Sequence, residues 1–355
     1  MSKLLRFPNR RSDLEGKSKR IKKIVVVGGG VGSSVVLSGL KKYPLDLNVI
    51  LTMFDSGGSS GELRKELGVL PCGDVRQCLV ALSQKRNLTK FLHYRFEKGA
   101  LKGHNLGNLL IAGIEKMAGN LETAIDIIGK LLNIKGKIIP VTLENANIEV
   151  LLNNNELIKG EENIINCQHL SKIGIKKIYL KPQVKANSKA ISVIKNADLI
   201  IIAPGKFYTS ILPIFLVKGT SETILKSRAK KIFICNLMTQ AGNTDNFSVQ
   251  DFLIILEKYL GKDTIDYVIF NTGKLPQNLF KKVKKVFPKG DFIKYDKNLL
   301  KKENFIGADV LDRRLQPLNP ADILVKKENR RTMVLHDSNK LAKIILKLCP
   351  VRQLR

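Results

Sequence analysis

The sequence predicts an α/β protein: a Rossmann-like, three-layer α/β/α domain on a mainly parallel sheet, with a small inserted β region. Three observations predict it. Runs of β-branched and apolar residues without polar alternation recur along the chain, which suits strands buried on both faces of a parallel sheet. Stretches of helical spacing separate these runs, which implies right-handed crossovers between parallel neighbours. The runs end in loops rich in Gly, Ser or Asn, at the strand ends where ligands of such sheets collect.

The first strand is Ile24-Val25-Val26-Val27, stopped by Gly28-Gly29-Gly30, and residues 35–40 form the helix after it. Residues 48–53 are the second strand, and residues 63–67 and 75–82 have short helical spacing. A helix over residues 105–117 opens in a Gly-rich turn. Residues 133–182 alternate short apolar runs with turns such as Asn153-Asn154-Asn155, which predicts an antiparallel or edge region inserted into the α/β pattern. Residues 198–203, 231–236 and 265–271 are three further buried strands. The expected organisation is a basic tail (1–22), a nucleotide-binding domain (23–300) and a strand-and-helix appendix packed on it (301–355).

Composition excludes several classes. With 355 residues and 44% hydrophobic content the chain can bury a sizeable core, which argues against a wholly disordered protein. No charge-free apolar run reaches the ~18 residues of a membrane span. Residues 1–23 carry nine basic and two acidic residues and no apolar segment, so they do not read as a secretory signal. The formal net charge is +30, and residues 274–355 hold 21 basic against eight acidic side chains. Such ends attract polyanions without sequence specificity. No helix-turn-helix, zinc-finger or RNA-recognition pattern accompanies them, so nucleic acid is not the expected partner. The five cysteines include no C-x-x-C pair, which fits a reducing cytoplasm rather than a disulfide framework or zinc site. No histidine pair has metal-ligand spacing, so no metal site is expected from the residues themselves.

The loops after the strands carry the chemistry. Gly28, Gly29, Gly30 and Gly32 let backbone N–H groups approach a phosphate at the N-terminus of the following helix. As G-x-G-x-x-G the stretch has Ser33 in place of the third Gly, and Asp55 stands where a ribose-binding acid would sit. Read structurally, it is a tight strand–helix turn. Asp55, Gly57, Gly58, Ser59, Ser60 and Arg64 belong to a second loop whose N–H groups and hydroxyls suit an anion or sugar nest. Asp74 is a natural N-cap for a helix over 75–82, and Arg76 in its first turn opposes the helix dipole, which calls for an anionic partner. His104 stands at a helix start beside Asn105 and Asn108, as a cap or as a neutral hydrogen-bonding ring. Pro204, Gly205, Tyr208, Thr209 and Ser210 follow one buried strand, and Asn236, Thr239 and Gln240 follow another. Catalytic residues are not identified; the candidates are Asp55 and Asp74.

These motifs resemble a family. G-G-G-x-G, D-x-G-G-S-S-G-x-L-R, L-G-V-L-P-x-G-D-x-R, G-H-x-L-G-N-L, P-G-x-x-Y-T-S-I-L-P and N-L-M-T-Q-x-G-x-T occur in the order seen in the gluconeogenesis-factor family, within the CofD-like, 2-phospho-L-lactate transferase superfamily. The resemblance spans about residues 22–300. It implies a Rossmann-like cytoplasmic protein that binds a nucleotide or nucleotide-sugar such as UDP-N-acetylglucosamine and acts in carbon metabolism, cell shape and cell-wall homeostasis. Regulatory protein partners and a homo-oligomer are further expectations. The superfamily's transferase branch implies the alternative, in which a phospholactyl-type group moves from a nucleotide diphosphate carrier to an acceptor hydroxyl with a metal ion such as Mg2+. Lys206 stands where the family usually has Ser; Ser56 stands where it commonly has a second Asp and Asn243 where it has Glu, and these last two count against metal-dependent transfer. A third reading, polyanion binding through the basic ends, rests on charge alone.

Overall fold

The computed structural model describes residues 21–316, 320–324 and 334–349; residues 1–20 of the expected basic tail and parts of the expected C-terminal appendix lie outside the described residues. In chain order the strands are β1 (Lys22–Gly28), β2 (Leu45–Leu51), β3 (Lys137–Pro140), β4 (Asn147–Leu152), β5 (Leu157–Lys159), β6 (Ile175–Lys181), β7 (Leu199–Ile202), β8 (Lys230–Ile234), β9 (Tyr267–Asn271) and β10 (Phe305–Ala308). Seven of them form one sheet in the order β10-β9-β8-β7-β1-β2-β3, with every neighbouring pair parallel. Its central strands are the uninterrupted apolar runs: Val25, Val26, Val27, Ile200, Ile201 and Ile202 are wholly buried. Helices covering both faces explain why these strands show no polar alternation.

From β1 the chain moves outward one way through β2 and β3, then returns to place β7 on the other side of β1 and continues through β8, β9 and β10. The order reverses between β1 and β7, and a crevice at the carboxyl ends of those strands follows from that reversal. A three-stranded antiparallel sheet, β5-β4-β6, fills the interval between β3 and β7. Of the segment expected to be inserted, β3 is therefore the edge strand of the main sheet, and the antiparallel unit starts at β4.

Six helices lie between β1 and β3: α1 (Gly30–Leu40), α2 (Gly58–Leu67), α3 (Gly73–Leu82), α4 (Arg86–His93), α5 (Leu106–Ala118) and α6 (Leu121–Leu132). The C-terminal helix Ser338–Leu348 crosses α1 at Gly39, where a Cβ would stand 2.0 Å from the Ser338 carbonyl oxygen, so only Gly permits that contact.

Helix starts depart from the expected ones. The Gly/Ser stretch read as loop is the first turn of α2, with Gly57 at the N-cap and Gly61 N donating to the Gly57 carbonyl at 3.0 Å. α3 starts at Gly73 with Cys72 at the N-cap, so Asp74 is not the cap; it sits inside the first turn, where its charge still complements the dipole. Asn105, not His104, caps α5: its side chain accepts from Asn108 N at 3.2 Å. All five cysteines are free thiols. Cys72 is wholly buried, and burial pushes its thiol up to about 12. Among the described residues no helix is long and apolar enough to cross a membrane.

Candidate functional site

The loops after β1, β2 and β7 and the start of α3 converge at the β1/β7 reversal, and the glycines are what let them meet. A Cβ on Gly32 would lie 1.6 Å from the Pro204 carbonyl oxygen, which holds α1 directly against the turn after β7. A Cβ on Gly29 would lie 3.0 Å from Ser210 Cβ and 3.1 Å from Asp74 Oδ2, and one on Gly30 would lie 2.5 Å from Asp74 Oδ1. Gly73 faces Ser60 Oγ and Asp55 Oδ2 in the same way. Gly28 is different: its neighbours are Ser33 Oγ and the Ala203 methyl, so its role is packing. Bare backbone therefore lines this crevice from three sides, the condition under which N–H groups reach a phosphate.

After β7 the chain forms one π-helical turn, Phe207–Ile211. Such turns are rare and concentrate at functional sites. Here the Lys206 carbonyl accepts from Ser210 N at 2.7 Å and Ile211 N at 3.2 Å, which sets Lys206 at the head of the turn and Ser210 over Gly29. Tyr208 and Thr209 are buried. The Tyr208 ring packs edge-on against Phe207 and Phe247, and burial raises its hydroxyl pKa. Ser33 Oγ and Thr209 Oγ1 are buried and have no hydrogen-bond partner among the described residues. Asn236, after β8, braces the turn through Gly205: it accepts from Gly205 N at 3.0 Å and donates to the Gly205 carbonyl at 2.8 Å.

Three carboxylates and one ammonium share the crevice. Burial, then the Glu161 and Asp74 carboxylates, hold the Asp55 carboxyl well above the usual range, only partly offset by Lys206 and the Gly57 N–H. Gly57 N donates to Asp55 Oδ1 at 3.2 Å, and Ser56 N donates to Glu161 Oε2 at 3.4 Å. Lys206 Nζ donates to Glu161 Oε1 at 3.0 Å. Burial works against the Lys206 charge, but Glu161, Asp55 and Asp74 together outweigh it and raise the ammonium pKa. Glu161 comes from the inserted unit, just after β5, and the sequence reading did not select it. Its partner Ser56 is 105 residues away, and only the positive φ of Gly160 (85°) marks a sharp turn there.

Around this centre the other expected residues divide. Ser59 Oγ lies 3.3 Å from His104 Nδ1 and accepts from Asn105 N at 3.2 Å, and Ser60 Oγ accepts from Asn108 Nδ2 at 3.3 Å. Arg76 is 3% exposed and ties α3 to its neighbours, donating from Nε to Asn108 Oδ1 at 2.8 Å and from a terminal nitrogen to the Leu92 carbonyl at 3.1 Å. Arg64 reaches the loop before β4, donating to Asn145 Oδ1 at 3.0 Å, the Ala146 carbonyl at 2.8 Å and Asn147 Oδ1 at 3.2 Å. Gly58 opens α2 with φ at 57°, a conformation that favours Gly. Thr239 lines a separate cavity of about 340 Å³ with Phe247, Phe292, Lys289 and Lys294, while Gln240 N donates to Thr244 Oγ1 at 2.8 Å.

Among the described residues no group of three or more His, Cys, Asp or Glu side chains is placed to hold a metal ion. The cationic position next to Asp55, Asp74 and Glu161 belongs to Lys206. With an ammonium paired among them, these carboxylates depart from the all-oxygen set that the Mg2+ of the transferase expectation would take.

Comparison with known proteins places this architecture. Residues 24–311 match the family model described as 2-phospho-L-lactate transferase CofD. A putative gluconeogenesis factor of Thermotoga maritima is 38% identical over 330 residues, covering 91% of this chain and 98% of that one. One of Clostridium acetobutylicum is 38% identical over 327 residues, 91% of this chain and 69% of that one. The gluconeogenesis factor of Bacillus subtilis is 40% identical over 263 residues, 73% of this chain and 82% of that one. A crystal structure of a Bacillus halodurans protein superposes with a TM-score of 0.80 at 34% identity, covering 92% of this chain and 100% of that one.

Proposed function

Because this chain belongs to the CofD family and, within it, to the group named gluconeogenesis factors, we propose that it is a regulator that binds a nucleotide-sugar of the UDP-N-acetylglucosamine type in the β1/β7 crevice. The observation that carries this reading is the convergence of Gly29, Gly30 and Gly73 on Asp55, Asp74 and Ser210, with no room for a Cβ at the closest contacts. Bare N–H groups and the α1 N-terminus receive the diphosphate, and the Asp55 and Ser59 side chains offer partners for sugar hydroxyls. The relatives' names support a role in carbon metabolism; control of cell shape and cell-wall homeostasis follows from a ligand that is itself a wall precursor. The free thiols support a cytoplasmic location. Leu110 and Met117 on α5, with Ile127 and Leu131 on α6, leave apolar side chains exposed and support the homo-oligomer.

The test is thermal unfolding of the full chain with UDP-N-acetylglucosamine. A ligand that binds only the native state at about 100 times its Kd adds roughly 2.7 kcal/mol, and Tm rises accordingly. An unchanged Tm at high ligand concentration sinks the reading. One observation favours a second reading, transfer to an acceptor hydroxyl: burial, then Glu161 and Asp74, raise the Asp55 carboxyl above the usual carboxylate range, the direction in which a general base is tuned. Turnover of a nucleotide diphosphate carrier that disappears in Asp55→Asn would establish it.

A further inference from the structure

Glu161 has a side chain only 5% exposed, whereas its partner Lys206 remains 42% exposed. A carboxylate buried that deeply needs a compensating charge, and the inserted unit takes it from the turn after β7. The ammonium has three donors, and among the described residues its Nζ makes one hydrogen bond, to Glu161. The backbone of Lys206 is held at the head of the π turn by Ser210 N and Ile211 N, so the ammonium is anchored at both ends while part of it faces the crevice. Asp55 and Asp74 add negative charge beside it. A diphosphate entering here meets carboxylates that repel it, and some cation must bridge the two. In a site open to Mg2+ a metal does so; in this one a tethered ammonium already stands at that position.

We infer that Lys206 supplies the counter-charge for the ligand's diphosphate, so that this chain binds a nucleoside-diphosphate sugar without a divalent cation. The inference rests on the nucleotide-sugar reading above and adds how the charge is balanced. Glu161 orients the ammonium, and its two remaining N–H groups reach phosphate oxygens. Such charge-assisted bonds are roughly twice as strong as neutral ones.

The experiment is calorimetric titration of the full chain with UDP-N-acetylglucosamine, once with Mg2+ and once with EDTA. The wild-type Kd is expected to agree within about twofold between the two conditions. Lys206→Met is expected to weaken binding in EDTA by roughly 10- to 100-fold, as expected for hydrogen bonds to a charged group, with Mg2+ restoring part of the loss. Lys206→Arg is expected to retain metal-independent binding. The double variant Lys206→Met/Glu161→Gln also removes the buried Glu161 charge that Lys206→Met alone would leave without its cation, and it should show the same loss if the ammonium, not the fold, is responsible. A wild type that binds only with Mg2+, or a Lys206→Met that binds like wild type in EDTA, overturns the inference. A wild type that binds in neither condition overturns the nucleotide-sugar reading itself.

Discussion

Lys206 Nζ lies 3.0 Å from Glu161 Oε1, joining the head of the π turn after β7 to the inserted unit 45 residues earlier. The same carboxylate accepts from Ser56 N in the loop after β2. One side chain from outside the parallel sheet thus holds two of the loops that build the crevice. The crevice is consequently a product of both units: the main sheet places the loops, and the antiparallel insertion fixes their spacing and charge.

Asp55 is expected to cost stability at neutral pH. Its folded pKa lies above the unfolded one, chiefly through burial and then through Glu161 and Asp74. The folded state therefore binds more protons than the unfolded state above the ordinary carboxylate range, and stability falls as pH rises through that window. Asp55→Asn removes the penalty while still accepting from Gly57 N. Urea denaturation should show the variant more stable by about 1 kcal/mol at pH 7, with the difference shrinking as pH falls toward 4. A destabilised variant at pH 7 would contradict this, whereas a loss of ligand binding would agree with a site that trades stability for function.

Arg76 is expected to matter for folding and not for ligand contact. Its guanidinium ties α3 to Asn108 on α5 and to the end of α4 through the Leu92 carbonyl. Arg76→Met keeps most of the stem but leaves Asn108 Oδ1 and the Leu92 carbonyl short of a donor. The expected loss is about 2–3 kcal/mol in urea unfolding. Below the transition the Kd for UDP-N-acetylglucosamine should stay within a few-fold of wild type; a selective loss of affinity with stability intact would assign Arg76 to the ligand.

His336 sets an acid limit. It is buried against β8, its Nε2 lies 3.2 Å from the Cys235 carbonyl oxygen, and burial lowers its pKa to about 4 despite that contact. A histidine depressed on folding stays neutral while the unfolded chain takes up a proton. Its contribution is present above the unfolded value of about 6.5 and is lost as pH falls toward 4. Melting curves between pH 4 and 7 should show this loss, worth at most about 3 kcal/mol from the shift. In His336→Phe the slope should flatten, and an unchanged slope would place the acid sensitivity elsewhere.

Much of this protein was determined by the sequence alone, and for local reasons. The apolar runs of β1, β7, β8 and β9 read as strands covered on both faces, and they are. Turn-rich residues 133–182 announced a different pairing, and from β4 onward they form the antiparallel sheet, whereas β3 within them joins the main sheet. Helix starts were misjudged where glycine and serine, read as loop, turned out to be the first turn of a helix, as at Gly58 and Gly73. What only the tertiary structure decided was how side chains far apart in sequence divide the work. Arg76 and Tyr208, which read as site residues, make their observed contacts with neighbouring helices and rings, because burial depends on neighbours from other elements. Glu161 and Lys206, neither of them among the selected site residues, meet at the crevice because the insertion folds back over it. No period or motif encodes that meeting; it exists only once β5 and β7 have been placed.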